Sequence, residues 1–138
     1  MKYVLDSNVA LKTLLPEQDS AHAIRLIGDF KNGIHQLVAP DVFPIELGHA
    51  LTRAERQRRI APPDGWRFWQ AIMTDGPDLR ASLPLMQRAF ELSSKMRIGL
   101  YDCLYVALAE EQGCELVTGD GRLLQALPGF AIIPLSSL

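Results

Sequence analysis

Four carboxylates in this sequence stand where carboxylates are uncommon. Asp6 closes the apolar run Tyr3-Val4-Leu5, and Glu46 sits between Ile45 and Leu47. Asp102 opens the most apolar helical stretch of the chain, and Asp120 follows Thr118-Gly119. A carboxylate in such surroundings needs a helix cap, an ion pair or a metal to satisfy it. Each has an ordinary structural reading. Asp102 suits the positive end of a helix dipole, Asp6 and Asp120 suit turns, and Glu46 could be the charged edge of a buried stripe. Gathered at the same end of one sheet, they point to chemistry instead. Two carboxylates about 5 Å apart repel by roughly 3 kcal/mol at an effective dielectric of 20. Several together protonate, splay or take up a cation. An all-oxygen set favours Mg²⁺ or Mn²⁺, whereas zinc would call for His or Cys. Such an ion with its waters suits hydrolysis of a phosphodiester.

Other chemistries lack their residues. The chain has no GxxxxGK[ST] or GxGxxG phosphate loop, no HExxH and no GxSxG elbow. Glu46-x-x-His49 has the spacing of half a carboxylate di-iron site, but the second pair that such a site requires is missing. His49 therefore reads as a surface or partly packed helix residue. A phospho-acceptor aspartate at position 6 would want a companion acid, and position 8 is Asn.

The elements that must position these acids follow from periodicity and punctuation. Residues 2–6 form a strand, with Ser7-Asn8 able to cap a short helix over 9–15 that Pro16 breaks. A helix over 17–32 buries Ala21, Ile24, Leu26 and Ile27 and stops at Gly33. A strand at 34–39 precedes a long helix, 41–59, with Ile45, Leu47, Ala50, Leu51 and Ala54 inward and Pro44 in its first turn. Pro62-Pro63-Asp64-Gly65 punctuates the chain before a helix carrying Trp66, Trp69 and Ile72. An edge strand at 78–82, helices at 84–97 and 101–112, a strand at 115–118, a short helix at 121–127 and a last strand at 130–135 complete the order. Strands separated by helices predict an α/β fold, a three-layer α/β/α sandwich around a mainly parallel sheet. Ligand sites of such sheets lie at the carboxyl ends of the strands, where Asp6 and Asp120 fall.

At 138 residues, with no repeat or linker, the chain is expected to be a single domain over 1–138. It is 48% hydrophobic and 22% charged, the composition of a globular protein, and 14 basic against 16 acidic residues exclude a generally polycationic nucleic-acid binder. A local basic patch remains open. Cys103 and Cys114, if joined by helix, stand roughly 16 Å apart, beyond disulfide reach, and no zinc spacing is present. Free thiols fit a reducing compartment, so the cytoplasm is the expected location. Charge at Asp6 interrupts any signal core, and the longest apolar run, Cys103 to Ala109, is too short to span a membrane.

Four stretches together resemble the PIN-domain family, specifically VapC-like ribonuclease toxins. They are Val4-Leu5-Asp6-Ser7-Asn8-Val9, Pro44-Ile45-Glu46-Leu47-Gly48-His49-Ala50-Leu51, Tyr101-Asp102-Cys103-Leu104-Tyr105-Val106-Ala107-Leu108-Ala109 and Leu116-Val117-Thr118-Gly119-Asp120. In order and spacing they cover nearly the whole chain. The resemblance implies a parallel α/β/α sandwich and Mg²⁺- or Mn²⁺-dependent endonucleolytic cleavage of RNA. It assigns catalysis to Asp6, Glu46, Asp102 and Asp120, with Asp6, Asp102 and Asp120 on the metal, and matches Thr118 to a hydroxyl position expected at the substrate. It further implies a VapB-like antitoxin partner and a homodimer. Where some relatives carry a further acid after the last Asp, this chain has Gly121-Arg122.

Arg53, Arg56, Arg58 and Arg59 crowd the helix end beyond Glu46. Arg53 and Arg56, three residues apart on one face, are candidates for RNA phosphates; the plain alternative is a solvated helix end that favours cations. Trp66, Phe68 and Trp69 suit helix packing or a dimer interface better than base stacking. Two other functions fit the same residues: an RNA-binding module without appreciable turnover, and a metal-dependent phosphatase-like hydrolase of small esters.

Overall fold

In the computed structural model, which describes residues 1–138, five parallel strands form one sheet. They are β1 (Lys2–Leu5), β2 (Gln36–Pro40), β3 (Asp78–Arg80), β4 (Glu115–Thr118) and β5 (Ile132–Pro134), in the order β3-β2-β1-β4-β5. Val4 lies in register between Val38 and Leu116, and Leu5 beside Val117. These central strands are apolar along their length because helices cover both faces, which removes the alternation of a half-exposed strand. Val4, Leu5, Leu37, Val38, Leu116 and Val117 are all buried.

Seven α-helices connect the strands: α1 (Ser7–Leu11), α2 (Ser20–Lys31), α3 (Phe43–Arg56), α4 (Asp64–Thr74), α5 (Met86–Met96), α6 (Leu100–Gln112) and α7 (Gly121–Ala126). Right-handed crossovers carry the chain to β3 on one side of β1 and back to β4 and β5 on the other, which distributes the helices over both faces. α6 buries every residue from Cys103 to Ala109, as a helix apolar all round must. It ends at Gly113, whose φ of 61° is the left-handed conformation that a helix stop requires. No helix is long and apolar enough to cross a membrane, and both cysteines are free.

Several expectations about packing need correction. Ile45 is 72% exposed, because the buried stripe of α3 runs Phe43, Leu47, Leu51, Ala54 and turns Ile45 to solvent. Likewise α2 buries Ala23 and Leu26, which leaves Ala21 and Ile24 exposed. The first helix starts at Ser7 and is capped by Asp6 itself. The helix expected from residue 17 begins at Ser20, since Glu17 is held outside it by Lys12 (3.1 Å) and Arg59 (2.7 Å). The latter contact also withdraws Arg59 from the basic cluster, and α3 stops at Arg56, before Arg58 takes a φ of 59°. Residues 83–85 form a 3₁₀ turn ahead of α5.

Candidate active site

The sheet order reverses between β1 and β4. Their neighbouring crossovers leave to opposite faces, which opens a crevice at their carboxyl ends. Each helix that follows a strand begins at this edge. α6, which runs back down to β4, begins there as well. First-turn positions therefore return to one rim. Asp6 caps α1 and Asp120 caps α7, the latter accepting from the Arg122 N–H at 2.9 Å, while Glu46 and Asp102 lie in the first turns of α3 and α6. Helix N-termini supply partial positive charge, which lessens the repulsion among the acids.

Hydrogen bonds clip the two strand ends together. The Thr118 hydroxyl donates to Asp6 Oδ2 at 2.9 Å and accepts from the Asp120 N–H at 3.0 Å. Asn8 Nδ2 donates to Asp6 Oδ2 at 3.3 Å and to Thr118 Oγ1 at 3.4 Å, and Asn8 Oδ1 accepts from the Gly119 N–H at 3.0 Å. Thr118 is 0% exposed. Enclosed, with its one donor and both acceptor positions used, the hydroxyl sets the positions of Asp6 and Asp120.

Burial dominates the electrostatics. The Asp6 carboxyl is pushed up to about 7, first by burial and then by the charges of Asp102 and Glu46, against the opposing Thr118 hydrogen bond. Burial also raises Glu46, with Asp102 adding to the shift, and raises Asp102, with Asp120 adding to it. The Tyr105 hydroxyl and then His49 oppose the shift at Glu46, and Arg122 opposes that at Asp102. Asp6, Glu46 and Asp102 therefore act on one another, and Asp120 joins through Asp102.

The donor set is entirely oxygen, and Glu46 Oε1 is buried without a hydrogen-bond partner. As placed, no three acidic side chains close around one point as direct ligands. Mg²⁺ does not need such a cage. It keeps several waters and is commonly held by one or two carboxylates, so these residues fit a hydrated hard cation.

Arg53 lies about two turns beyond Glu46 on the same face of α3, roughly 10 Å along the axis, and both it and Arg56 are exposed. The arginines are thus beside the carboxylates on one helix, outside the crevice itself. Trp66 stacks on Trp69 with ring centroids 5.1 Å apart, and Trp69 Nε1 donates to the Pro44 carbonyl at 2.8 Å, so the pair braces α4 against α3. A cavity of about 450 Å³ lies away from the carboxylates, walled by Leu14, Ile24, Ile27, Phe30, Leu37 and Ile72; its apolar lining offers no comparable chemistry.

Three contributors escaped the sequence reading. Asn8 stood only as a capping candidate. Lys12 passes over Gly119 so closely that a Cβ there would meet its Cε at 2.6 Å and push the lysine chain aside. Tyr105, hidden in the apolar run of α6, comes within reach of Glu46, Asp6 and Ser7. Its three-residue spacing from Asp102 was the available signal.

The sequence model of the PIN domain matches residues 3–128. Ribonuclease VapC3 of Pyrobaculum aerophilum is 27% identical over 137 residues, 94% of this chain and 98% of that protein. Ribonuclease VapC1 of Mycobacterium tuberculosis is 37% identical over 113 residues, 80% of each chain. Among solved structures, PAE2754 from Pyrobaculum aerophilum superposes with a TM-score of 0.75 at 21% identity, covering 99% of this chain and 85% of its own. The DNA-bound VapBC of Salmonella typhimurium gives 0.70 at 15% identity and 98% coverage of both chains.

Proposed function

The chain belongs to the PIN domain family, and from that premise we propose that it is a Mg²⁺- or Mn²⁺-dependent endoribonuclease, the toxin of a VapBC-type pair. The observation that carries this reading is the mutual perturbation of Asp6, Glu46 and Asp102 at the switch point of the sheet. Buried carboxylates that raise one another's pKa are poised for a divalent cation. The names of the VapC relatives support RNA as substrate, and the VapBC assembly among the similar folds supports a VapB-like antitoxin as partner.

Asp6, Asp102 and Asp120 are the residues to hold the ion, and Glu46 holds it or orients the attacking water. When bound, the ion supplies charge neutralisation, polarisation of a phosphoryl oxygen and a lower pKa for water. Thr118 and Asn8 fix the Asp6 carboxylate from behind, which leaves its orientation unchanged as charge develops. Glu46, its pKa raised by burial, suits proton acceptance. Arg53 and Arg56 draw RNA phosphates along α3 toward the crevice. In-line attack leaves a 5′-phosphate and a 3′-hydroxyl. The protein acts as a homodimer in the cytoplasm, a location consistent with its free thiols.

The test is single-turnover cleavage of structured RNA with excess Mn²⁺, beside hydrolysis of p-nitrophenyl phosphate. RNA is cut, chelation stops it, and the small ester survives. Asp102→Asn keeps the melting temperature and loses at least a hundredfold in cleavage (~10² or more), as expected for a lost electrostatic contact. RNA bound but intact would make the protein a binding module, and turnover of the ester alone would make it a phosphatase.

A further inference from the structure

Three buried side-chain atoms lack a hydrogen-bond partner: His35 Nδ1, Glu46 Oε1 and the Tyr105 hydroxyl. Two of the three belong to the carboxylate crevice. Tyr105 stands one turn beyond Asp102 on α6 and so shares its face. The side chain is 1% exposed, the bulkiest of those fully enclosed. Its hydroxyl is flanked by Glu46, Asp6 and Ser7, with Glu46 and Ser7 near enough to exchange hydrogen bonds with it, yet no hydrogen bond of good geometry is made to any of them. Burial, followed by the charges of Glu46 and Asp6, holds this phenol far above its ordinary range, so it remains protonated and able to donate. Packing alone does not account for the group. A phenylalanine would fill the same space without enclosing an unsatisfied hydroxyl.

We propose that Tyr105 is a positioning residue for Glu46, its hydroxyl donating toward the unpartnered Glu46 Oε1 through a small side-chain adjustment or one enclosed water. A donor and an acceptor left open side by side satisfy each other in this way. Glu46 then approaches the crevice from α3 with one oxygen anchored by α6 and the other free for chemistry. Tyr105 touches neither substrate nor ion. It acts through Glu46, much as outer partners orient the ligands of metal sites. The contact rests on geometry; its effect on catalysis rests on the ribonuclease reading.

The experiment is a double-mutant cycle of Tyr105→Phe and Glu46→Leu, which removes the acceptor, read first as metal-free melting temperature and then as RNA cleavage with Mn²⁺. The expected result is coupling. The effect of Tyr105→Phe on melting differs between the wild-type and Glu46→Leu backgrounds. In cleavage, Tyr105→Phe costs about ten- to a hundredfold, as for loss of an orienting partner, and nothing further once Glu46 is replaced. Melting shifts that simply add would overturn the contact. Wild-type cleavage by Tyr105→Phe would overturn the positioning role, and so would equal losses in both backgrounds. An inactive wild-type protein would instead remove the ribonuclease reading, because the melting cycle needs neither RNA nor metal.

Discussion

Thr118 has three polar partners and no exposure: it donates to Asp6 and accepts from Asp120 and Asn8. Replacing it tests that role cleanly, because valine keeps its shape and removes only the hydroxyl. Thr118→Val strips Asp6 Oδ2 of its shortest bond and the Asp120 N–H of its acceptor. Leaving buried groups unsatisfied costs about 1–3 kcal/mol, so a drop of that size is expected in denaturant melts. The same change removes a bond that lowers the Asp6 pKa, and Mn²⁺ binding at neutral pH should weaken. Thr118→Ser should retain both properties. Unchanged stability and Mn²⁺ affinity in Thr118→Val would remove Thr118 from the site.

The helices do more than cover the sheet. α3 carries Glu46 in its first turn and Arg53 and Arg56 in its last, so one rigid element joins an acidic crevice to a basic end. Its lead-in is pinned, since Asp41 Oδ1 accepts from the Ser82 N–H at 3.2 Å and its hydroxyl at 2.5 Å. Arg53 and Arg56 are exposed, and their loss should leave melting unchanged. Arg53→Ala with Arg56→Ala should weaken RNA binding across sequences and reduce the salt dependence of log Kd by roughly one to two units, as for two phosphate contacts. A salt titration of RNA binding checks this, and an unaltered slope would return both side chains to the solvated helix end.

For the whole molecule, the raised carboxylates make stability depend on pH and metal. Unfolded, Asp6 titrates near its ordinary value of about 4; folded, it titrates at about 7. Between those values the folded chain binds more protons, so metal-free stability falls as pH rises through the window and levels above 7. Glu46 and Asp102 shift in the same direction. Glu17, lowered by Arg59 and Lys12, acts oppositely and only at more acidic pH. Divalent cations compete with those protons, so the melting-temperature rise caused by Mn²⁺ should grow with pH over the same range. Asp6→Asn should raise the metal-free melting temperature above about pH 7, flatten its slope and abolish the Mn²⁺ response. Thermal melts across the window with and without Mn²⁺ decide the matter: identical metal shifts in both proteins would refute a shared site.

What the sequence by itself determined is the α/β order and the four acids. Runs such as Tyr3-Val4-Leu5 and Leu116-Val117 announce strands buried on both faces, and a carboxylate at the end of an apolar run is conspicuous because burying it is costly. Which face of a helix is buried was less legible. Ile24 and Ile45 are apolar and yet exposed, since hydrophobicity marks a residue that can be buried and only neighbouring elements decide which ones are. The tertiary structure alone placed β1 beside β4, bringing Thr118 to Asp6 across 112 positions of chain. It also turned the Tyr105 hydroxyl toward Glu46. Local pattern records the propensity of each segment. Strand order and side-chain partnership arise when distant segments share one core, and at that step four separate acids came within reach of one another's charge.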